Sequence, residues 1–171
     1  AAEVTKTMTV NPATMKSPNR GLAGKTDDQI VRFFSPTVKR HTTNSEFRVA
    51  DDVKELPQVD VIYAHSNMKR TLIDAAFESG AKGIVIAGVG DGNMTTEALE
   101  SLIEYAKKGI IVVRSSRVGS GAVKRNIEVD DDKDGFVAAM ELNPQKARVL
   151  LQLAIRETSD IKEIQRMFNE Y

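Results

Sequence analysis

From residue 57 onward, the apolar positions alternate between unbroken runs and the three-to-four spacing of a helix. Val59-Asp60-Val61-Ile62-Tyr63-Ala64 predicts a strand, rich in β-branched residues. Leu72, Ile73, Ala76 and Phe77 fall on one face of a helix predicted over residues 67–79 and ended by Gly80. Gly83-Ile84-Val85-Ile86-Ala87 predicts a second strand, with the continuous apolar run of a strand buried on both faces. A second helix is predicted over 95–107, with Leu99, Leu102, Ile103 and Ala106 inward, followed by a strand at Gly109-Ile110-Ile111-Val112-Val113. Phe136-Val137-Ala138-Ala139 predicts a short fourth strand. Two helices close the chain: 144–156, with Pro144 in its first turn, and 160–169, capped by Ser159 or Asp160. This alternation implies the α/β class, a small parallel sheet with helices on both faces.

The first 56 residues follow a different pattern, rich in Thr, Asn and charge. Val4, Thr5, Thr7, Thr9 and Val10 favour extended backbone, and Ile30-Val31-Arg32-Phe33-Phe34 predicts a short strand. Asn19-Arg20-Gly21 and Lys25-Thr26-Asp27-Asp28 predict turns. So little apolar surface cannot form a core of its own, so this stretch is expected to pack on something else. The opening Ala1-Ala2-Glu3-Val4-Thr5-Lys6 has neither an initiator Met nor an apolar signal core, and it reads as a start within a longer protein or a trimmed end.

Composition narrows the classes. With 41% hydrophobic and 28% charged residues the balance is that of a globular protein. Lys plus Arg equals Asp plus Glu at 24 each, which gives no reason to expect a nucleic-acid or acidic-membrane partner. No apolar run approaches the ~20 residues of a membrane-spanning helix. The absence of Cys excludes disulfides, thiol catalysis and Cys-based zinc sites.

Parallel sheets present ligands at the carboxyl ends of their strands, which directs attention to residues 64–67, 88–94 and 114–128. Gly88-Val89-Gly90-Asp91-Gly92-Asn93 begins like a dinucleotide loop, but Asn93 stands where the third glycine belongs, and the next strand ends in Arg114 rather than an acid. A tight turn with Asn93 capping the helix, or a loop approaching a small ligand closely, are the alternatives. Asp130, Asp132, Asp134, Gly135 and Glu141 fit a calcium-loop pattern, but Gly119-Ser120-Gly121-Ala122-Val123 is a poor entering helix and Asn143-Pro144 interrupts the exiting one. A solvated acidic turn before a strand is the reading taken, and no metal site is expected. His41, His65, Ser115 and Ser116 show no ligand spacing or activating partner and read as loop or surface polar groups. On the residues alone, Glu128 is a surface acid and Lys6 a solvated lysine.

Several segments resemble the bacterial type II L-asparaginases of the asparaginase/glutaminase family, specifically their C-terminal half. They are Val4-Thr5-Lys6-Thr7, Ala13-Thr14-Met15-Lys16-Ser17-Pro18-Asn19, Lys39-Arg40-His41-Thr42, Ser45-Glu46-Phe47, the 86–93 glycine loop, Val113-Arg114-Ser115-Ser116-Arg117-Val118, Glu128-Val129-Asp130-Asp131 and Leu142-Asn143-Pro144-Gln145-Lys146-Ala147-Arg148. The ending Met167-Phe168-Asn169-Glu170-Tyr171 looks like the family's C-terminus. The resemblance implies that 1–34 end an N-terminal amidohydrolase domain, 35–56 connect, and 57–171 form a Rossmann-like C-terminal domain. It implies hydrolysis of the side-chain amide of L-asparagine, and secondarily L-glutamine, by a threonine nucleophile outside this chain, without a cofactor. Lys6 matches a lysine that assists proton removal from a threonine, Glu128 a residue that pairs with the substrate α-ammonium, and Asn93 a neighbour that contacts the ligand or orients Glu128. The resemblance further implies homotetramers with sites shared between subunits, and a periplasmic or secreted location. Asp91 departs from the family's usual Asn and is expected to add charge near the substrate, with a modest effect on pH tolerance or substrate preference. The threonines and the oxyanion-binding backbone belong to the absent half, so the chain alone is expected to be inactive.

Overall fold

Strands with little to bury come first. The computed structural model describes residues 3–48 and 55–171. β1 (Thr5–Lys6) pairs antiparallel with β2 (Met15–Lys16), and β3 (Gly24–Asp27) pairs antiparallel with β4 (Ile30–Phe33). The turn expected at residues 25–28 is in fact mostly strand: Asp27 pairs with Ile30, and only Asp28, at φ 51°, and Gln29 turn the chain. A side-chain oxygen next to the backbone lets Asp occupy that left-handed region at modest cost. Residues 49–54, within the expected connection, lie outside the described residues, as do 1–2. The segment before that gap docks on the far end of the chain. Arg40 N–H donates to the Glu170 carbonyl at 2.8 Å, and the Phe47 and Tyr171 rings pack at 4.9 Å.

The remaining elements form the predicted sheet. β5 (Val59–Tyr63), α1 (Thr71–Glu78), β6 (Gly83–Gly88), α2 (Thr96–Ala106) and β7 (Ile111–Ser116) are followed by α3 (Asp131–Asp134), β8 (Phe136–Ala138), α4 (Pro144–Glu157) and α5 (Ile161–Glu170). The four strands run parallel in the order β5-β6-β7-β8. Alternate side chains divide between two cores: Ile84, Ile86, Val112 and Phe136 meet α1 and α2, while Val85, Val113 and Val137 meet α4 and α5. Burying a side chain such as Phe136 or Phe168 stabilises the fold by about 1.5–3 kcal/mol.

Helix ends follow local chemistry. α1 starts four residues later than the predicted 67–79 span, because Asn67 sits at φ 57° and the Met68 N–H closes a turn onto the His65 carbonyl. Asn143 caps α4 by accepting the Lys146 N–H, with Pro144 in the first turn, and Asp160 rather than Ser159 caps α5.

A polar clasp joins α1 to α2. The Asp74 carboxylate accepts from Arg70 Nε at 2.8 Å and from the Tyr105 hydroxyl at 2.7 Å, and Arg70 also pairs with Glu104 at 3.1 Å. The Arg70 guanidinium, followed by the Tyr105 hydroxyl, holds the Asp74 carboxyl below its ordinary value of 3.8. Lys108, then Arg70, does the same for Glu104 against 4.5. Because these carboxyls are depressed in the folded state, their stabilisation is fully present above their ordinary values and is lost as pH falls below them. Thermal melts at neutral and strongly acidic pH are expected to show a smaller acid-induced loss of Tm for Asp74→Asn than for the wild type. An equal loss would mean that Asp74 does not contribute.

Candidate functional site

Three loops meet where the parallel strands end. His65 and Ser66 after β5, Val89, Asn93 and Thr95 after β6, and Arg117 after β7 line an open cleft of about 400 Å³. Arg117 Nη1 donates to the Ala64 carbonyl at 2.9 Å, tying the first loop to the third. The glycine loop closes on itself, since Val89 and Asn93 exchange both backbone hydrogen bonds at 2.8 Å. Two glycines make that closure possible. A Cβ on Gly88 would lie 2.3 Å from the Gly92 carbonyl carbon, and Gly92 itself sits at φ 81°.

Asn93 stands at the end of this turn. Its Nδ2 donates to Glu128 Oε2 at 2.8 Å, and both residues face solvent. The possibility that Asn93 caps α2 is corrected: Thr95 is the cap, accepting the Ala98 N–H at 3.3 Å. Asp91 Oδ1 accepts the Lys124 N–H at 2.7 Å, so the charge expected near the substrate is engaged by a backbone donor.

Lys6 is exposed on β1, opposite Met15. Among the described residues, no hydrogen bond or ion pair joins it to Asn93 or Glu128. The hairpin that carries it is nevertheless anchored at this edge of the sheet, because Asn19 Oδ1 accepts the Gly121 N–H at 2.7 Å.

The other sequence candidates have partners of their own. Ser115 is buried rather than surface-lying, and its Oγ donates to the Leu142 carbonyl at 2.9 Å; Ser116 Oγ donates to the Gly90 carbonyl at 2.6 Å. His41 Nδ1 lies 3.2 Å from Thr42 Oγ1, and His65 Nδ1 lies 2.8 Å from the Ser66 carbonyl. The acidic run forms the single turn α3 and leads into β8. Asp130 accepts the Lys133 N–H, Asp132 pairs with Arg125 at 2.5 Å, and Glu141 pairs with Arg20 at 2.6 Å. Asp130, Asp132 and Glu141 of the calcium pattern thus face separate partners instead of one centre.

Sequence reasoning missed Arg114 and Asp131. Both are fully buried, and the guanidinium grips the carboxylate with two bonds of 2.7 Å. A signal was present. Arg114 lies on the third strand, whose neighbours Val112 and Val113 are buried on opposite faces, so its side chain has no route to water.

The fold and its strand-end loops define a parallel α/β domain that offers a polar amide–carboxylate pair beside an open cleft. Residues 58–168 match the family model described as the glutaminase/asparaginase C-terminal domain, and the chain belongs to that family. It is 46% identical to a Haemophilus influenzae protein named probable L-asparaginase periplasmic, over all of this chain and 49% of that protein. It is 44% identical to L-asparaginase 2 of Escherichia coli over 99% of this chain and 48% of that protein. It is 40% identical to a glutaminase-asparaginase of Pseudomonas fluorescens, over 99% and 46% respectively. The chain therefore spans about half the length of these relatives.

Closure of the glycine loop leads to a stability prediction. Gly88→Ala is expected to lower the unfolding free energy by about 1–3 kcal/mol in a denaturant melt. Gly119→Ala, whose added Cβ meets nothing within 4 Å, is the control and is expected to change it far less. Equal effects would contradict the crowding described at Gly88.

Proposed function

We propose that the chain is the C-terminal half of an amidohydrolase that converts L-asparagine, and secondarily L-glutamine, to the free acid and ammonia. The observation that carries this reading is the hydrogen bond from Asn93 to Glu128 on two strand-end loops, in a family whose named members include L-asparaginases and glutaminase-asparaginases. Glu128 pairs with the substrate α-ammonium through a charge-assisted contact, and Asn93 holds the carboxylate in place from the other side. An exposed carboxylate held by a neutral amide, rather than by a cation, is left to pair with a cationic ligand.

In this reading the nucleophile is a threonine of an N-terminal half. Its oxygen attacks the side-chain amide carbon, ammonia leaves, and water then hydrolyses the acyl-threonine. Lys6 lends positive charge beside that threonine as its proton is removed. Residues 1–34 end the N-terminal domain, 35–56 connect, and 57–171 are the C-terminal domain. Exposure of Val10, Leu22, Ile30, Val31, Phe33 and Val38 supports a further partner for the opening segment. The assembled protein is a homotetramer whose subunits share sites, so that Asn93 and Glu128 serve a neighbour's threonine. The periplasmic or secreted location rests on the name of one relative; among the described residues, no helix is long and apolar enough to cross a membrane.

Glu128→Gln in the protein assembled with its N-terminal half tests the assignment. Loss of a charge-assisted contact of about 1.5–3 kcal/mol is expected to appear mainly as a raised KM for L-asparagine. A substrate analogue without the α-ammonium is expected to be used equally by variant and wild type. An unchanged KM for L-asparagine would remove Glu128 from substrate recognition.

A further inference from the structure

We infer that Arg114 is a positioning residue, which sets the distance between Asn93 and Glu128 by clamping their two loops to one buried carboxylate. The inference rests on the amidohydrolase reading for its kinetic consequence, but its geometry is independent of that reading. Four donations leave the guanidinium. Nε and Nη2 bind the two oxygens of Asp131 at 2.7 Å each. Nη1 donates to the Asp91 carbonyl at 2.9 Å, inside the glycine loop that ends in Asn93. Nη2 also donates to the Lys124 carbonyl at 3.0 Å, at the start of the segment that carries Glu128.

The same two loops are joined a second time around this centre. Asp131 Oδ2 accepts the Asn126 N–H at 2.8 Å, while Asp91 Oδ1 accepts the Lys124 N–H at 2.7 Å. Glu128 therefore lies between two fixed points, Asn126 on one side and the Asp130 cap of α3 on the other. On the opposite loop, a Cβ on Gly92 would come within 2.9 Å of Arg114 Nη1, so the backbone of the loop rests directly on the guanidinium. Lysine has the charge but not the planar fork, and it cannot serve a carboxylate and two carbonyls in these directions. None of these atoms reaches the cleft, so Arg114 acts through Asn93 and Glu128 rather than on a ligand.

The test separates positioning from simple stability. The double variant Arg114→Met, Asp131→Leu removes both charges together, which a well-packed core tolerates better than one unpaired charge. Hydrogen exchange on the 171-residue chain reads the Lys124 and Asn126 amides, with the β6 amides as a folding control. Exchange at Lys124 and Asn126 is expected to accelerate at least about tenfold while β6 stays protected, the size of one lost hydrogen bond. Should the double variant fail to protect β6, Arg114→Lys, which keeps the charge but lacks the fork, is read at the Lys124 amide in the same way. In the assembled protein, KM for L-asparagine is expected to rise about tenfold with kcat changed less than about twofold. On a Glu128→Gln background the same double substitution is expected to add little, because both act on one contact. Unchanged exchange at Lys124, or an equally large KM effect without Glu128, would overturn the inference. If the wild-type assembly shows no turnover of L-asparagine, the amidohydrolase reading fails, while the exchange experiment still decides whether Arg114 clamps the loops.

Discussion

A guanidinium wholly removed from water has to find a carboxylate and carbonyl oxygens, and the loop architecture at the sheet's carboxyl edge is arranged around that requirement. Arg114 enters from β7 because its strand is covered on both faces. Asp131 meets it at the start of α3, and the Asp91 and Lys124 carbonyls complete the coordination. Removing one partner of such a pair costs about 3–5 kcal/mol, yet replacing both with apolar residues is often neutral. The stability obtained from the pair could thus come from ordinary packing, whereas its directional hold on two separate loops could not. Those loops end in the two exposed polar groups that touch each other, Asn93 and Glu128.

The two parts of the chain differ in how completely they bury their apolar residues. From β5 to α5, Ile84, Val85, Val113, Phe136, Leu151 and Phe168 are sealed between sheet and helices. Before β5, Phe33 and Val38 are exposed at 78% and 79%, too much apolar surface for hairpins that nothing else covers. This contrast agrees with a chain that spans about half the length of its relatives.

The sheet was legible in the sequence because buried parallel strands and amphipathic helices differ in period, and β5, β6 and both final helices fall within a few residues of their expected bounds. Boundaries shifted where a single residue's backbone decided them, as Asn67 does before α1 and Thr95 before α2. The β3–β4 hairpin looks partly like turn in the sequence, because Lys, Thr and Asp are common in loops and nothing local marks Gly24–Asp27 as paired. For the site, the glycine loop and Glu128 can be named, but on the residues alone Glu128 is an ordinary acid, and only the family resemblance proposes a role for it. The Arg114–Asp131 pair escapes a reading by hydropathy because its signal is indirect. Hydropathy ranks arginine as exposed, and only the burial of both faces of β7 reveals that it is not. Asp131 was hidden in a run of acids that invited a calcium reading.

Ammonia release from L-asparagine, measured on this chain before and after co-folding with its N-terminal half and with intact mass recorded each time, tests the division of labour most directly. Release only from the assembled species is expected, because the proposal assigns recognition to Asn93 and Glu128 and the nucleophile to the N-terminal half. Release from the 171-residue chain alone would contradict it and would require a nucleophile within this sequence.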